Sequence, residues 1–309
     1  NNLQFDEVQI EEIARIFEVQ FNVALDVGHV VKKNNSEPWW RGRVEDGLDT
    51  HYSSRFRTYL LLGEETQLPK TVVTKTDEIT DEITDLLGDP KLDGPWGRRG
   101  MVIGHVQSGK TLNYSSLITK AADAGYRVIV LLAGITNSLR KQTQDRIDHY
   151  FIGQQSTEAN IIAEVIGAAQ HTIDERVRHP NYLTALERDF SLNGALATRG
   201  IQIGTSTEPV IFVCKKNVST LRNLHTFFEN TKGQGVLNQP FLMIDDEADN
   251  ASINTLLSQN SVTAINQRLR EILSVFNRSS YVGYTATPFA NIFIDPDSVD
   301  KMGNDDLFP

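Results

Sequence analysis

The rhythm of apolar positions changes about a third of the way along the chain. In residues 6–24, Ile10, Ile13, Phe17, Phe21 and Ala24 recur at helical spacing. Residues 76–88, Thr-Asp-Glu-Ile-Thr-Asp-Glu-Ile-Thr-Asp-Leu-Leu-Gly, read as a second helix, stopped by Gly88 and Pro90. From residue 101 onward the apolar positions come in short strand-like runs: 101–103, 127–133 (Arg127 followed by six apolar residues), 210–214, 241–244 and 281–284 (interrupted only by Gly283). Helical patterns lie between them, at 112–124 (closed by Gly125), 137–150 (with Thr136 or Asn137 as N-cap), 218–229 and 263–277. Such runs suit strands buried on both faces. Their alternation with helices predicts an α/β fold, a parallel sheet flanked by helices. Ligands of such sheets sit at the carboxyl ends of the strands. The expected organisation is a mainly helical N-terminal accessory region, 1–94, and an α/β lobe, 95–309, with the boundary in the Gly/Pro-rich stretch 88–100. Residues 151–209 are helical in texture and read as an insertion.

Two of the strand ends carry chemistry. Gly104-His105-Val106-Gln107-Ser108-Gly109-Lys110-Thr111 fits G-x-x-x-x-G-K-[ST] in full, between a strand and a helix. In such a loop the backbone N–H groups, together with the first helical residue (here Leu112), face phosphate oxygens. Lys110 supplies charge for the β and γ phosphates, and the Thr111 hydroxyl can ligate magnesium. This sequence therefore calls for ATP and magnesium as cofactors. The second strand, 241–244, runs into Asp245-Asp246-Glu247-Ala248-Asp249. A hard magnesium ion wants oxygen ligands, and a second carboxylate can orient or deprotonate a water. Asp246 is assigned to the metal and Glu247 to the water, with Asp245 as the alternative to Asp246. The catalytic set is Lys110, Asp246 and Glu247. A third strand ends in Thr285-Ala286-Thr287-Pro288, whose hydroxyls can bond the acidic loop; Asp249, Thr285 and Thr287 form the expected coupling set.

These strings resemble known families. Asp246-Glu247-Ala248-Asp249 spells the DEAD sequence of DEAD-box helicases, and Thr285-Ala286-Thr287 is similar to the Ser-Ala-Thr motif of superfamily-two helicases. With the phosphate loop they look like motifs I, II and III of a first RecA-like lobe, and residues 131–142 resemble motif Ia, which touches the nucleic-acid backbone in that superfamily. Residues 99–111, 244–249 and 281–291 together resemble the Z-one domain family (letter Z, numeral one). It is a bacterial helicase-like ATPase family associated with endonucleases, DNA methyltransferases and MORC-type ATPases in defence systems. The resemblance implies a RecA-like P-loop fold and ATP-dependent work on DNA, in the service of a nuclease or another defence protein; no nuclease residue is carried over. It also implies a second RecA-like lobe with an arginine finger. No such lobe follows residue 291, so the chain is expected to be a fragment that turns ATP over weakly by itself.

Charge neither demands nor forbids a DNA partner. The net charge of −10 resides at the two ends, whereas residues 101–294 carry 17 basic and 16 acidic side chains. Asn137, Arg140, Lys141, Lys215 and Lys216 follow buried strands and are the candidate nucleic-acid contacts. The aromatic and basic stretch 35–58 allows a nucleic-acid or partner surface, but reads first as core aromatics with solvated arginines. A single cysteine, Cys214, lies in an apolar run, which suits a core residue in a reducing compartment, the cytoplasm. No apolar run approaches the ~18 residues of a membrane span. Two alternatives to a DNA-driven ATPase remain: a nucleotide-gated switch that recruits a partner protein without translocation, and a metal nuclease built from the acids of 245–249.

Overall fold

The structure, a computed structural model, describes residues 37–64, 66–104, 109–157, 164–172, 177–193, 203, 206–232, 235–249 and 261–286. The helix expected over residues 6–24, the loop residues His105, Val106, Gln107 and Ser108, and Thr287 lie outside the described residues. Among the described residues three helices come first: α1 (Trp40–Glu45), α2 (His51–Leu62) and α3 (Lys70–Leu86). The lobe then alternates strand and helix: β1 (Trp96–Ile103), α4 (Lys110–Ala124), β2 (Val128–Ala133) and α5 (Asn137–Ile147), then β3 (Asn181–Tyr182) and β4 (Val210–Cys214). It closes with α6 (Val218–Lys232), β5 (Phe241–Asp246), α7 (Ser261–Ser274) and β6 (Arg278–Thr285).

The six strands form one sheet in the order β1-β6-β5-β2-β4-β3, and every pairing is parallel. Alternate residues sort to opposite faces. Val128, Val130, Phe212, Phe241, Met243 and Tyr281 pack with Leu221, Leu224 and Phe228 of α6 and Leu269 and Ile272 of α7. Ile129, Leu131, Ile211, Val213, Ile244 and Tyr284 pack on the other face with Tyr114, Leu117, Ile118 and Ala121 of α4. Complete burial of each such aliphatic side chain stabilises the fold by roughly 1.5–3 kcal/mol. This is the RecA-like α/β arrangement, with helices on both faces of a parallel sheet.

Several boundaries shift from the sequence reading. β1 begins at Trp96 because Trp96 to Ile103 pairs residue for residue with Arg278 to Thr285; the polar run Gly97-Arg98-Arg99-Gly100 hid this strand. Thr136, extended at φ −106°, caps α5 by accepting from the Leu139 N–H. The helix does not run on regularly to residue 150 but widens into a π-helical turn, Asp148–Ile152. The described part of 151–209 is not mainly helical: it holds a 3-10 turn, Gly167–His171, and the short strand β3. Cys214 is buried, as a core residue would be.

Of these three helices, α2 and α3 lock onto α4, and α1 is held by α3. Neither α1 nor α2 has a side-chain cap of its own at its N-terminus. Asp85 of α3 supplies one, accepting from the Trp39 and Trp40 N–H groups at 2.7 and 2.6 Å. Asp123 of α4 supplies the other, accepting from the Tyr52 and Ser53 N–H groups at 2.8 Å each. Lys120 of α4 is buried and reaches Asp77 at 2.8 Å and Asp81 at 2.6 Å. Arg55 departs from the expectation of solvated arginines. It is 1% exposed, lies over the Tyr52 ring, and donates to the Phe151 and Arg178 carbonyls.

Candidate functional site

The carboxyl ends of β1, β2, β4, β5 and β6 meet at one edge of the sheet. β1 ends at Ile103, and Gly104 N–H donates to the Thr285 carbonyl at 2.9 Å, so the start of the loop is fixed to the end of β6. Gly109 is left-handed at φ 75°, a conformation glycine adopts without steric cost, and α4 starts at Lys110. The first-turn N–H groups of α4 therefore open toward the loop, where the helix dipole favours an anion.

Opposite α4 stands the acidic end of β5. Pleating turns Asp245 and Asp246 to opposite faces. Asp245 is fully buried and accepts from Lys216 Nζ at 2.7 Å and from the Tyr281 hydroxyl at 2.8 Å. Asp246 faces the α4 side. Burial pushes its carboxyl up to about 6, and the neighbouring Glu247 charge adds to this; the Lys110 ammonium pulls the other way. A desolvated carboxyl beside a second carboxylate is an environment that a divalent cation relieves. With the Thr111 hydroxyl at the head of α4, these oxygen donors fit a magnesium nucleotide.

Glu247 is the one non-glycine residue with positive φ among the described residues, at 57°. Such a conformation costs of order 1–3 kcal/mol and persists where its surroundings over-determine it. Here they do. Its N–H donates to Asp246 Oδ1 at 3.1 Å, its carbonyl accepts from Lys216 Nζ at 2.6 Å, and the next N–H, of Ala248, donates to the Tyr284 carbonyl at 2.9 Å. The Glu247 carboxylate lies over Gly134, at the end of β2, where a Cβ would sit 3.7 Å from its Oε2. Asp249 accepts from the Thr285 hydroxyl at 2.8 Å. Lys110, Thr111, Asp246, Glu247, Asp249 and Thr285 thus stand on adjoining strand and helix ends.

Two candidate nucleic-acid contacts are corrected. Lys216 is 1% exposed and Arg140 3% exposed. Lys216 turns inward because it continues the β4 alternation onto the face of Phe212 and Cys214, where Asp245 neutralises it. Arg140 is held by the Leu186 carbonyl at 2.6 Å. Asn137 and Lys141 stay exposed; Lys215 bonds Asn137 at 2.7 Å, and Lys141 pairs with Glu187. The nuclease alternative loses its geometry, since Asp245 is committed to Lys216 and Tyr281 and Asp249 to Thr285. Among the described residues no group of three His, Cys, Asp or Glu side chains could hold a metal ion.

Sequence reasoning missed several groups. Arg146 of α5 donates to Thr111 Oγ1 at 3.2 Å. Tyr284 donates to Asn113 Oδ1 at 2.8 Å, tying β6 to the first turn of α4. Helical spacing from Thr136 signals that Arg146 shares a face with Thr143, but its reach to α4 depends on how the two helices cross.

A family model, ResIII (type III restriction enzyme, res subunit), matches residues 77–290. The chain belongs to this family. ResIII is a family of superfamily-two helicase-like P-loop ATPases, and its match spans the phosphate loop, the acidic turn and β6. It begins inside α3, at the residue that meets Lys120. Membership implies ATP-dependent, DNA-related activity of the restriction type. A search of curated proteins gives no match. Among the described residues no helix is long and apolar enough to cross a membrane.

Proposed function

We propose that this chain is the ATP-binding and hydrolysing lobe of a DNA-dependent ATPase or translocase, serving a restriction or anti-phage endonuclease system of the Z-one type. The observation that carries this reading is the meeting of Lys110 and Thr111 at the head of α4 with Asp246, Glu247 and Thr285 at the ends of β5 and β6. Magnesium–ATP, when bound, supplies the phosphoryl group and offsets the charge that develops on it. Residues 104–112 cradle the phosphates, and Lys110 binds the β and γ oxygens. Thr111 and Asp246 would hold the metal. Asp246 is preferred to Asp245 because Asp245 is turned away and neutralised. Glu247 orients the attacking water and takes up its proton. Asp249, Thr285 and Thr287 relay the state of the site to bound DNA, which passes near Asn137, Lys141 and Lys215. The division into an accessory region, 1–94, and the lobe, 95–309, belongs to the same reading.

A second reading has its own support. Lys120 and Asp123 fasten the accessory helices to α4, the helix that begins at Lys110. That connection suits a nucleotide-gated switch that presents the accessory surface to a partner protein without translocation. ATP turnover of the full-length protein, with and without single- and double-stranded DNA, separates the two readings. DNA-stimulated turnover that vanishes in Lys110→Ala supports the motor; turnover indifferent to DNA supports the switch. No turnover under any condition removes the assignment of Glu247.

A further inference from the structure

Lys216 has no place in the reaction as described, yet it is the best-satisfied charged group near the acidic turn. Its side chain is 0% exposed. An ammonium has three hydrogens, and three acceptors surround this one: Asp245 Oδ1 at 2.7 Å, the Asp246 carbonyl at 3.1 Å and the Glu247 carbonyl at 2.6 Å. Its backbone N–H donates to the Gly134 carbonyl at 2.8 Å. One residue at the end of β4 therefore fixes the end of β2 and the turn after β5. β4 and β5 are not neighbours, because β2 lies between them, and the lysine side chain spans that gap. Asp245 is itself held by the Tyr281 hydroxyl at 2.8 Å, so the counter-charge is rigid.

Burying an ammonium is a costly way to fill space, and an apolar side chain packs the same volume without desolvation. The three contacts have a common effect. Two of them seize the carbonyls of the peptide groups on either side of the Glu247 Cα, and Glu247 is the residue held left-handed at φ 57°. Releasing those carbonyls lets residue 247 relax toward ordinary backbone, and its carboxylate then leaves its place over Gly134. A misplacement of about 1 Å in a catalytic group lowers rate steeply without changing how substrate is held.

We infer that Lys216 is a positioning residue for hydrolysis: neutralised by Asp245 inside the core, it clamps the Asp246–Glu247 turn and aims the Glu247 carboxylate. The inference rests on the reading of Glu247 as the water-orienting acid. It assigns Lys216 no contact with nucleotide or DNA.

The test compares three variants of the full-length protein by thermal midpoint, Kd for a fluorescent magnesium–ATP analogue, and kcat and KM for ATP. Lys216→Met/Asp245→Leu removes both charges together, so neither is stranded. Its Kd and KM stay within about threefold of wild type while kcat falls by about tenfold or more. Tyr281→Phe keeps the lysine but loosens Asp245, and kcat falls less, again at unchanged KM. Glu247→Gln separates the two levels of the argument. If it is inactive while the folded double variant keeps kcat within about twofold of wild type, the clamp is refuted and the role of Glu247 stands. If Glu247→Gln itself retains wild-type kcat, the underlying reading fails and the clamp with it. Should the double variant not fold, Tyr281→Phe decides: a lower kcat at unchanged KM supports the clamp, and a wild-type kcat overturns it.

Discussion

The hydroxyl of Thr285, itself fully buried, donates to Asp249 Oδ1 at 2.8 Å, and the carbonyl of the same residue accepts from Gly104 N–H at 2.9 Å. The end of β6 thus holds the acidic turn with its side chain and the phosphate-loop strand with its backbone. Thr285→Val keeps the shape and the backbone bond and removes the hydroxyl. Nucleotide affinity is expected to stay within about threefold while DNA-stimulated turnover falls by about tenfold, with a stability change of about 1 kcal/mol. Unchanged stimulation by DNA in this variant would end the coupling role.

Glu247 combines a left-handed backbone with a carboxylate beside Asp246. Glu247→Gln keeps size and removes the base. Loss of a positioned general base lowers kcat by about 10²- to 10⁴-fold. Removal of the negative charge also leaves ATP binding intact or tighter. Titration with a fluorescent ATP analogue alongside steady-state turnover checks both halves.

Gly167 carries a stability prediction remote from the site. Its φ is +56°, and a Cβ there would stand 2.2 Å from the His149 carbonyl oxygen, which belongs to rigid backbone of the π-helical turn. Gly167→Ala therefore destabilises by about 2–4 kcal/mol. Urea denaturation measures this; a midpoint equal to wild type would mean that the Gly167–His149 contact is not rigid.

Asp148, the fully buried first residue of that turn, gives a pH signature. Burial pushes its carboxyl from the ordinary 3.8 up to about 6, against the bonds from Gln144 and Ser156 that favour the charged form. The folded state holds this proton more tightly than the unfolded chain. The stability contributed by the protonated group is therefore fully present below the unfolded value and lost as pH rises through about 6. The difference in thermal midpoint between wild type and Asp148→Asn should shift against wild type as pH rises from 4 to 7. A pH-independent difference contradicts the assignment.

The sheet was readable wherever burial leaves unbroken apolar runs. Val128–Ala133 and Val210–Cys214 differ from the sequence reading by one residue at most. Polar Gly97-Arg98-Arg99-Gly100 concealed half of β1, because a strand at one end of the described sheet order tolerates exposed positions. The phosphate loop and the acidic turn are legible because their chemistry is local in sequence. Lys216 was misread for the opposite reason. Lys215-Lys216 after a strand has the look of a solvated loop, and only the sheet order brings Asp245 and Tyr281 to the same face. Arg55 and Lys120 were equally hidden, since their partners lie on other helices.

The fastening of α4 has a mechanical consequence. The helix has 15 residues, with Lys110 at its head and Lys120 and Asp123 gripped by α2 and α3 further down. An α-helix of that length is a stiff rod of about 22 Å. Any tilt imposed on its head by a passing ligand must reappear as a displacement at its far end, in proportion to the lever arm. Helices α2 and α3, which grip that far end, are placed to move with it as a needle moves on a gauge.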